Sequence, residues 1–563
     1  YQMISIQREI QAKYPTLDKK AFIDFLKKII HEDKINAFLE ENSHLTGFEF
    51  VDAILEHFNF DVVISQNQIQ NIPTSGSVVI IANHPLGALD GLMLLKTIGN
   101  IRKDVKIVAN DFLSQFKQLD SLLLKVNNFN STQTKEDIKA IHDELKSGHA
   151  VIIFPCGEVS RAGLKGIEDT KWYKGFLTFA LNSKSPILPI HIKAKNSWLF
   201  YAVSAINKKI STLLLSNEMF NKQNKKAIIT IGELVPYESI PQNIKKKELV
   251  NIFKKHLYAI SKSKSILSTQ KAIAHPESRQ AILEELKSAV TLGATNDGKK
   301  IYLYSYSDDS TILKEIGRLR ELSFRKVGEG VNKKRDTDKY DKYYDHIILW
   351  DEKELEIVGS YRIGNSNNIM LKHGQSGFYT ATLFEYTPDF IPYLKDSIEL
   401  GRSFVQPKYW GTRALDYLWY GIGAYLKNNR NIRYMFGAVS LSSNFPPIAK
   451  DLIINYYSYY YGCENNLVNP TNPYKYSNNI DEINTIFSYT DKKNDFKILK
   501  SALNDVGFVV PTLYKQYSEL CEDGGVKFLG FNTDEKFGNC IDGFILVDVN
   551  TIKTPQRNRY INN

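Results

Sequence analysis

The chain has 563 residues, 43% of them hydrophobic, and carries a formal net charge of +10 at pH 7. A chain of this length exceeds a single hydrophobic core and is expected to divide into about two to four domains. Its basic residues form short scattered groups, which argues against a basic nucleic-acid-binding tail and suits an acidic partner or an anionic surface.

The cysteines and the apolar runs restrict the class of protein further. Cys156, Cys463, Cys521 and Cys540 stand far apart without a CxxC pair, which argues against a disulfide framework or a zinc site and favours a reducing compartment. The opening stretch YQMISIQREIQAKYP is polar, unlike a secretory signal, and no apolar run reaches the ~18 residues that a spanning helix needs. We therefore expect a cytoplasmic protein that lies on a membrane at most.

The first part of the chain predicts helices followed by an α/β domain. Residues 1–72 form a helical N-terminal region, since LDKKAFIDFLKKIIHEDKINAFLEE repeats apolar residues at steps of three and four. Over 73–265, apolar runs such as SVVIIA, VKIVA and HAVIIFP alternate with helical stretches such as TKEDIKAIHDELKSG. This alternation predicts an α/β fold with a largely parallel sheet.

The second part predicts an α+β domain after a break. Residues 266–299 are expected to be a helical linker, because LGATNDGKK interrupts the pattern. From 300 to 563, strand-like KIYLYSYS, HIILWD and EIVGSYRIG precede the helical ALDYLWYGIGAYLKNN, which predicts α+β with an antiparallel sheet. The Asn- and Tyr-rich stretch 465–563 has no readable periodicity.

The stretch NHPLGALDG, residues 83–91, joins a predicted strand to a predicted helix. His84 and Asp90 cannot face each other within one regular helix, where neighbours lie three or four residues apart. A turn at Pro85 and Gly87 is needed to bring them together. If they meet, the carboxylate fixes the imidazole tautomer and the imidazole takes a proton from a hydroxyl. The alternative is a surface histidine and an aspartate that starts a helix.

A second predicted strand end carries further polar residues. HAVIIFPCGEVSRAG runs from an apolar strand into a loop with Glu158, Ser160 and Arg161. Ligands of open α/β sheets bind beyond the carboxyl ends of the strands, and an arginine binds carboxylates or phosphates in bidentate fashion. The alternative is an ion pair within the loop.

NHPLGALDG together with FPCGEVSR resembles the lysophospholipid-type O-acyltransferases, in the branch labelled hemolysin-like, and DTKWYKGFLTFA and PILPIHIKAKNSWLFY extend the resemblance. It covers roughly residues 70–260 and implies a PlsC-type fold. The usual motif of this family has four residues between His and Asp and a second block that reads like FPEGTR. This chain has five residues between His84 and Asp90 and the block FPCGEVSR, and both variants resemble the branch that acylates aminolipids. The resemblance implies that His84 is the general base, that Asp90 orients it, and that Glu158, Ser160 and Arg161 hold the acceptor.

A second set of motifs lies between residues 300 and 465. LRELSFRKVGEG, DKYYDHIILWD, IVGSYRIG, FYTATLFEY and IELGRSFVQPKYWG follow in an order that resembles the ornithine N-acyltransferases, relatives of the GNAT fold and of the autoinducer synthases. Residues with counterparts there are Arg325, Asp345, Glu385, Glu399, Arg402 and Ser403, and all of them except Glu399 are implied to bind substrate. Glu399 is expected to be the catalytic carboxylate that takes a proton from an ammonium nucleophile, although each carboxylate of the set fits that role. The alternative is a set of ordinary ion pairs.

The acyl donor is expected to be acyl carrier protein rather than coenzyme A. GNAT enzymes that use coenzyme A cradle its pyrophosphate in a Gly-rich loop at a helix start. PKYWGTRALDYLW has one glycine, Gly411, and Arg413 stands where a second small residue is usual. Acyl carrier protein is acidic and suits the basic balance of the chain.

An O-acyltransferase ahead of an N-acyltransferase resembles the bifunctional ornithine lipid synthases. The resemblance implies that the C-terminal domain transfers a 3-hydroxyacyl group from acyl carrier protein to ornithine, and that the N-terminal domain esterifies the 3-hydroxyl of this lyso-lipid. The alternatives are the same steps on glycine or another amino acid, and a membrane-surface binding protein with one active acyltransferase domain. No metal, bound cofactor or nucleic acid is expected.

The expected location is the inner face of the cytoplasmic membrane, with the protein peripheral to it. The aromatic stretches SWLFYAVSAINKKISTLLLSNEMF and NFPPIAKDLIINYYSYYYG suit docking at a membrane interface. The alternative is a pair of buried helices that pack through their tyrosines.

Overall fold

The chain forms two compact units, Tyr1–Ala272 and Ile273–Asn563, named here the front unit and the back unit. Each has its own main sheet and its own hydrophobic clusters. The computed structural model describes residues 20–109, 113–126, 135–163, 166–197, 200–202, 204, 215–222 and 225–562, together with residues 5, 7 and 11.

The described part of the front unit is built on a seven-stranded sheet in the order β1-β9-β8-β2-β5-β3-β4. Neighbouring strands are parallel, except that β8 and β9 are antiparallel. The strands are β1 Asp61–Ile64, β2 Val78–Ala82, β3 Val105–Ala109, β4 Leu123–Lys125, β5 Ala150–Ile153, β8 Ile187–Lys193 and β9 Lys226–Ile231, with β6 Arg161–Gly163 and β7 Gly166–Glu168 forming a separate hairpin.

Helices cover both faces of this sheet. The alternation of side chains along β2 places Val78 and Ile80 in one hydrophobic cluster and Val79 and Ile81 in the other. Burial on both faces is typical of parallel sheets and explains the continuous apolar runs in the sequence. The helices are α1 Lys20–Ile30, α2 Glu32–Glu41, α3 Gly47–His57, α4 Gln66–Ile69, α5 Ala88–Gly99, α6 Lys135–Lys146, α7 Gly175–Ser183, α8 Leu215–Asn221 and α9 Lys246–Ile260.

The described part of the back unit contains an eight-stranded sheet in the order β10-β11-β12-β13-β15-β16-β19-β18. All neighbours are antiparallel except β15 and β16. The strands are β10 Val290–Ala294, β11 Lys299–Ser305, β12 Asp345–Asp351, β13 Glu356–Asn365, β15 Ser397–Val405, β16 Tyr434–Leu441, β18 Val526–Asp534 and β19 Cys540–Asp548, and β14 Phe384–Tyr386 pairs with β17 Val468–Pro470.

Helices pack on the back sheet around a large core rich in aromatic residues. They are α10 Arg279–Leu286, α11 Thr311–Lys326, α12 Ser366–His373, α13 Ile391–Leu394, α14 Ala414–Asn428, α15 Pro447–Tyr461, α16 Ile480–Ile483, α17 Lys492–Asp505, α18 Thr512–Ser518 and α19 Thr554–Tyr560. The α/β class predicted for the first domain and the α+β class predicted for the second are confirmed.

Three segments differ from their sequence-based expectation. The helical region predicted for 1–72 also contains β1, an edge strand that pairs with β9. The segment 266–299, expected to be a linker, contains α10 and β10, and β10 pairs with β11 in the back sheet. The unread stretch 465–563 supplies β18 and β19, two strands of that sheet.

The two aromatic stretches fare differently. In α15, Tyr456 and Tyr457 are buried in the core of the back unit, which matches the alternative of a helix that packs through its tyrosines, while Tyr459 of the same helix is exposed. Most of the other stretch, including 205–214, lies outside the described residues. Among the described helices, none combines the length and apolar character required to cross a bilayer.

Candidate active sites

The turn after β2 brings His84 and Asp90 together. Gly87 has φ +85, in the left-handed region that favours glycine, and precedes α5. Its amide and that of Leu86 donate hydrogen bonds to Asp90 Oδ2 at 3.0 and 2.7 Å. The chain therefore folds back over the first turn of the helix, which lets two residues with non-helical spacing meet.

The two side chains form a buried pair. His84 Nδ1 lies 3.0 Å from Asp90 Oδ2, and the histidine side chain is 14% exposed while the aspartate is fully buried. Burial raises the pKa of Asp90. The imidazole stacks on Phe154, with 4.0 Å between ring centroids. Because Nδ1 faces the carboxylate, Nε2 is the ring nitrogen suited to exchange a proton with a substrate.

The second motif meets the first because β2 and β5 are parallel neighbours that end side by side. The amide of Ser160 donates to the carbonyl of His84 at 2.8 Å. The Ser160 hydroxyl is buried and donates to Asp169 Oδ1 at 2.6 Å. Ser160 thus differs from the substrate ligand expected from the sequence: it holds the two loops together.

Asp169 is the centre of this connection, and motif reasoning did not single it out. Its Oδ1 also accepts a hydrogen bond from the amide of His84 at 3.1 Å, and its Oδ2 accepts one from Trp172 Nε1 at 2.8 Å. Burial raises the pKa of this carboxyl. Asp169 and Trp172 both lie in DTKWYKGFLTFA, so the sequence signal was the resemblance of that stretch rather than a recognisable chemical pattern.

Glu158 and Arg161 lie on the outer side of the same loop. Arg161 Nη2 is 3.9 Å from Glu158 Oε2, and Arg161 Nη1 donates to Ser204 Oγ at 2.6 Å. The guanidinium also packs over the Phe200 ring, 5.4 Å from its centroid. Thr170 Oγ1 donates to Glu158 Oε1. The structure therefore gathers His84, Asp90, Glu158 and Arg161 at one edge of the sheet.

The back unit has a cavity of about 590 Å³ between β15 and β16. These parallel strands are paired only from Ser397–Tyr434 to Glu399–Phe436, and beyond that point both line the cavity. Pairing of β13 with β15 is irregular between Ser360 and Arg362, and Arg402 has φ +48. Arg402 and Ser403, two of the predicted residues, line this cavity.

Arg402 is a shared cation. Its guanidinium lies 3.6 Å from Asp336 Oδ2 and 3.9 Å from Asp338 Oδ2. It also packs on the rings of Tyr379 and Phe537, at 5.0 and 4.4 Å from their centroids. These contacts hold the charge at the wall of the cavity.

Glu399 is fully occupied by hydrogen bonds. Oε1 accepts from the amide and the hydroxyl of Thr380 at 2.8 and 2.6 Å. Oε2 accepts from the amide of Tyr379 at 3.0 Å and from the Tyr344 hydroxyl. Glu399 is 2% exposed and is not among the residues lining the cavity. This position differs from that expected of a catalytic base and suits a residue that fixes the 379–380 loop.

Three other predicted residues lie away from the cavity lining in the described chain. Arg325, on α11, donates to Glu321 Oε1 at 2.6 Å. Asp345, at the start of β12, accepts from Ser305 Oγ at 2.6 Å. Glu385 is exposed on β14. Their positions match ion pairs and strand ends, the alternative stated for this set.

Two cavity carboxylates were missed by the motifs, Glu329 and Asp542. Burial raises the pKa of Glu329 to about 7. Burial, with the nearby charges of Asp534 and Glu329, raises that of Asp542 to about 8. The sequence held one signal for Glu329: the glycines that flank it in KVGEG indicate a place where the backbone approaches another segment closely. No comparable sequence signal marks Asp542.

The start of α14 differs from the Gly-rich loop that holds the pyrophosphate of coenzyme A in GNAT enzymes. Gly411 has φ +77, and Arg413 is the N-cap residue of the helix, with its Nη2 3.1 Å from Asp416 Oδ2. The first turn thus already carries an ion pair of its own.

Comparisons with known proteins agree with the division of the chain into a front unit and a back unit. Residues 10–266 match the family model described as Acyltransferase, and residues 319–420 match the Acetyltransferase (GNAT) domain. A glycine N(alpha)-acyltransferase of Phocaeicola vulgatus is 32% identical over 302 residues, 51% of this chain and 92% of that protein. A lyso-glycine lipid O-acyltransferase of Bacteroides thetaiotaomicron is 30% identical over 251 residues, 43% of this chain and 91% of that protein.

A more partial match is the L-ornithine N(alpha)-acyltransferase of Brucella abortus, 30% identical over 175 residues, 26% of this chain and 60% of that protein. The predicted combination of an O-acyltransferase followed by a GNAT-related N-acyltransferase is confirmed. The chain belongs to the acyltransferases, and it joins a member of the lyso-lipid O-acyltransferase family and a member of the amino-acid N-acyltransferase family in one polypeptide.

Proposed function

We propose that the chain makes an aminolipid in two steps. The back unit joins a 3-hydroxyacyl group to the α-amine of an amino acid, and the front unit then esterifies the 3-hydroxyl with a second acyl chain. The observation that carries the proposal is the His84–Asp90 pair, 3.0 Å apart, at the strand ends of the front unit. This pair suits an alcohol nucleophile, and the N-acylation step attaches the 3-hydroxyacyl group that carries such an alcohol.

In the O-acylation step, His84 Nε2 takes the proton of the 3-hydroxyl while its oxygen attacks the acyl thioester. The C–O bond forms, the C–S bond breaks, and the imidazolium returns its proton to the leaving thiolate. Asp90 stabilises the imidazolium and fixes its orientation. The same transfer to water is hydrolysis, so burial of the pair also protects the acyl donor.

Arg161 is proposed to read the free α-carboxylate of the lyso-lipid. It lies beside the His84 loop and is held by Ser204 and Glu158. A guanidinium binds a carboxylate with charge-assisted hydrogen bonds. Glu158 is proposed to help position the guanidinium of Arg161 as well as to contact the acceptor.

In the N-acylation step, the cavity between β15 and β16 is proposed to receive the acyl thioester and the amino acid. Arg402 on its wall suits the amino-acid carboxylate, and Ser403 lines the same surface. Glu399 supports this site by fixing the Tyr379–Thr380 loop, and Tyr379 packs against Arg402.

Glycine is the amino acid we propose first. The relatives that this chain matches over nine-tenths of their length are named for glycine and for a lyso-glycine lipid. Ornithine, expected from the motif order, is the second candidate, supported by the partial match to an L-ornithine N(alpha)-acyltransferase.

We further propose acyl carrier protein as the donor and the inner face of the cytoplasmic membrane as the place of work. The net charge of +10 favours both an acidic carrier and an anionic lipid surface. The ion pair of Arg413 with Asp416 at the start of α14 supports a donor without coenzyme A's nucleotide.

The test is the lipid extract of a bacterial host that lacks aminolipids and expresses the full chain. Mass spectrometry is expected to show a new diacylated aminolipid whose head group identifies glycine or ornithine. An unchanged extract, or an extract with the mono-acylated lipid alone, would refute the two-step proposal.

A further inference from the structure

Glu329 and Asp542 are buried carboxylates on the wall of the N-acylation cavity. Glu329 lies in the loop after α11 and Asp542 lies in β19; both are more than nine-tenths buried. A buried carboxylate is costly unless it carries a proton or faces a cation. Two such groups beside one cavity therefore call for a partner with a positive charge or a proton to donate.

The backbone places the two carboxylates together. Ser440, on β16, donates a hydrogen bond to Glu329 Oε2 at 2.9 Å. Ser440 is also the register partner of Asp542 across the antiparallel β16–β19 pair. Directly opposed residues of antiparallel strands project from the same face of the sheet. Ser440 therefore has Asp542 as its neighbour on one side and Glu329 as its hydrogen-bond partner on the other.

The loop that carries Glu329 is held closely. Gly328 has φ +81 and Gly538 has φ +68. A Cβ on Gly538 would lie 2.3 Å from the carbonyl oxygen of Gly328, so the turn between β18 and β19 packs directly on the loop. Both neighbours of Glu329 are glycines, and the close packing fixes its side chain toward the cavity.

Arg402 offsets the pair only in part: its charge lowers the pKa of both carboxyls, which burial nevertheless keeps raised. Its guanidinium is already shared between Asp336 and Asp338. The titratable and charged groups that face the two carboxylates are Arg402, Asp534, Cys540, Tyr379 and Tyr514. One shared cation among several acidic groups leaves room for another positive charge.

We propose that Glu329 and Asp542 form the amine subsite of the cavity: they bind the ammonium group of the amino acid and take the proton that it loses as its nitrogen attacks the acyl thioester. This inference rests on the N-acylation step of the proposed function. Either carboxylate accepts the first proton; the C–N bond then forms and the C–S bond breaks. The nitrogen's second proton goes to the leaving thiolate, and the pair releases its proton to solvent.

The pH dependence follows from the raised pKa values, about 7 for Glu329 and about 8 for Asp542. The pair must lose its proton to act as a base, so kcat/KM for the amino acid rises with pH across this range. Replacing Glu329 by Gln removes a negative charge beside Asp542. The pKa of Asp542 then falls, and the rise in kcat/KM moves to lower pH.

The experiment measures thiol release from 3-hydroxyacyl–acyl carrier protein by the full chain, with either an amino acid or hydroxylamine as nucleophile. Hydroxylamine is mostly neutral at neutral pH and needs no base to become nucleophilic. Glu329→Gln and Asp542→Asn are each expected to lower kcat/KM for the amino acid by about 10²–10⁴-fold. Both variants should retain most of the transfer to hydroxylamine, measured above the uncatalysed reaction.

Equal losses with both nucleophiles would show that the residues only maintain the cavity and would overturn the inference. Unchanged rates with the amino acid, or an unshifted pH profile in Glu329→Gln, would overturn it as well. If the unaltered chain acylated hydroxylamine but no amino acid, the proposed function itself would be wrong, and the amine subsite would fall with it.

Discussion

Asp90 has two kinds of partner, the His84 ring and the backbone amides of Leu86 and Gly87. The amides hold the carboxylate over the first turn of α5, and the carboxylate holds the imidazole. A single side chain thus both closes the turn and sets the orientation of the candidate base.

Replacing Asp90 by Asn tests this arrangement. The amide cannot stabilise an imidazolium, so kcat of O-acylation should fall by about 10²–10⁴-fold. KM for the lyso-lipid should change little. Asp120→Asn is the matched control, because Asp120 is half-exposed and pairs with Lys125 at 2.8 Å. A mutant with unaltered kcat would contradict the proposed role of the pair.

Arg161 offers a second test among single residues. If its guanidinium reads the carboxylate of the lyso-lipid, Arg161→Ala should raise KM of O-acylation about 10- to 100-fold, the equivalent of one charged hydrogen bond. Arg161→Lys keeps the positive charge but lacks the planar guanidinium, so its KM should lie between those of the unaltered chain and Arg161→Ala. Steady-state kinetics with purified lyso-lipid measure this, and an unchanged KM in Arg161→Ala would rule the idea out.

Among the secondary-structure elements, the α14–α19 contact shows how closely the back unit is packed. A Cβ on Gly423, in α14, would lie 1.7 Å from the backbone oxygen of Tyr560, in α19. Only a residue without a side chain fits between these helices. The C-terminal helix is therefore an integral part of the back unit.

Gly423→Ala is expected to destabilise the back unit by about 1–3 kcal/mol, the usual cost of overpacking. Thermal unfolding of the full chain should show a lower Tm for the back-unit transition. Gly293→Ala makes the same chemical change in β10, where no atom lies within 4 Å of the new Cβ, and should leave that transition in place. Equal Tm values for the two variants would contradict the contact.

Alternating patterns predicted both fold classes, because strands buried on two faces leave continuous apolar runs. They missed β1, whose four residues DVVI follow a run of helices and lie at a sheet edge. They also missed β10, since only pairing with β11 distinguishes it from a linker. Both strands are defined by distant partners rather than by their own sequence.

The site residues, too, could be predicted where the partners are close in sequence and were missed where the partners are distant. His84 and Asp90 are close in sequence, so chemistry and turn residues sufficed to predict their meeting. Glu399 was expected to be a base because nothing in its own motif shows that Thr380 and Tyr344 occupy its oxygens. Glu329 and Asp542 come together through the register of Ser440 with Asp542 and the hydrogen bond from Ser440 to Glu329, which local motifs do not encode.

On the scale of the whole molecule, the two units carry consecutive steps in the proposed path. The product of N-acylation is the alcohol that the front unit needs, and linking the two activities raises the local concentration of the intermediate. The order of the steps makes the two sites distinguishable: a defect in the back unit removes both products, while a defect in the front unit leaves the first.

The most direct measurement is the lipid extract of a host that expresses His84→Ala, compared with Arg402→Ala and the unaltered chain. His84→Ala should accumulate the mono-acylated aminolipid and lack the diacylated one. Arg402→Ala should lack both lipids and should regain the diacylated product when the mono-acylated lipid is supplied. Normal diacylated lipid from His84→Ala would contradict the account, because an ester would then form without the imidazole.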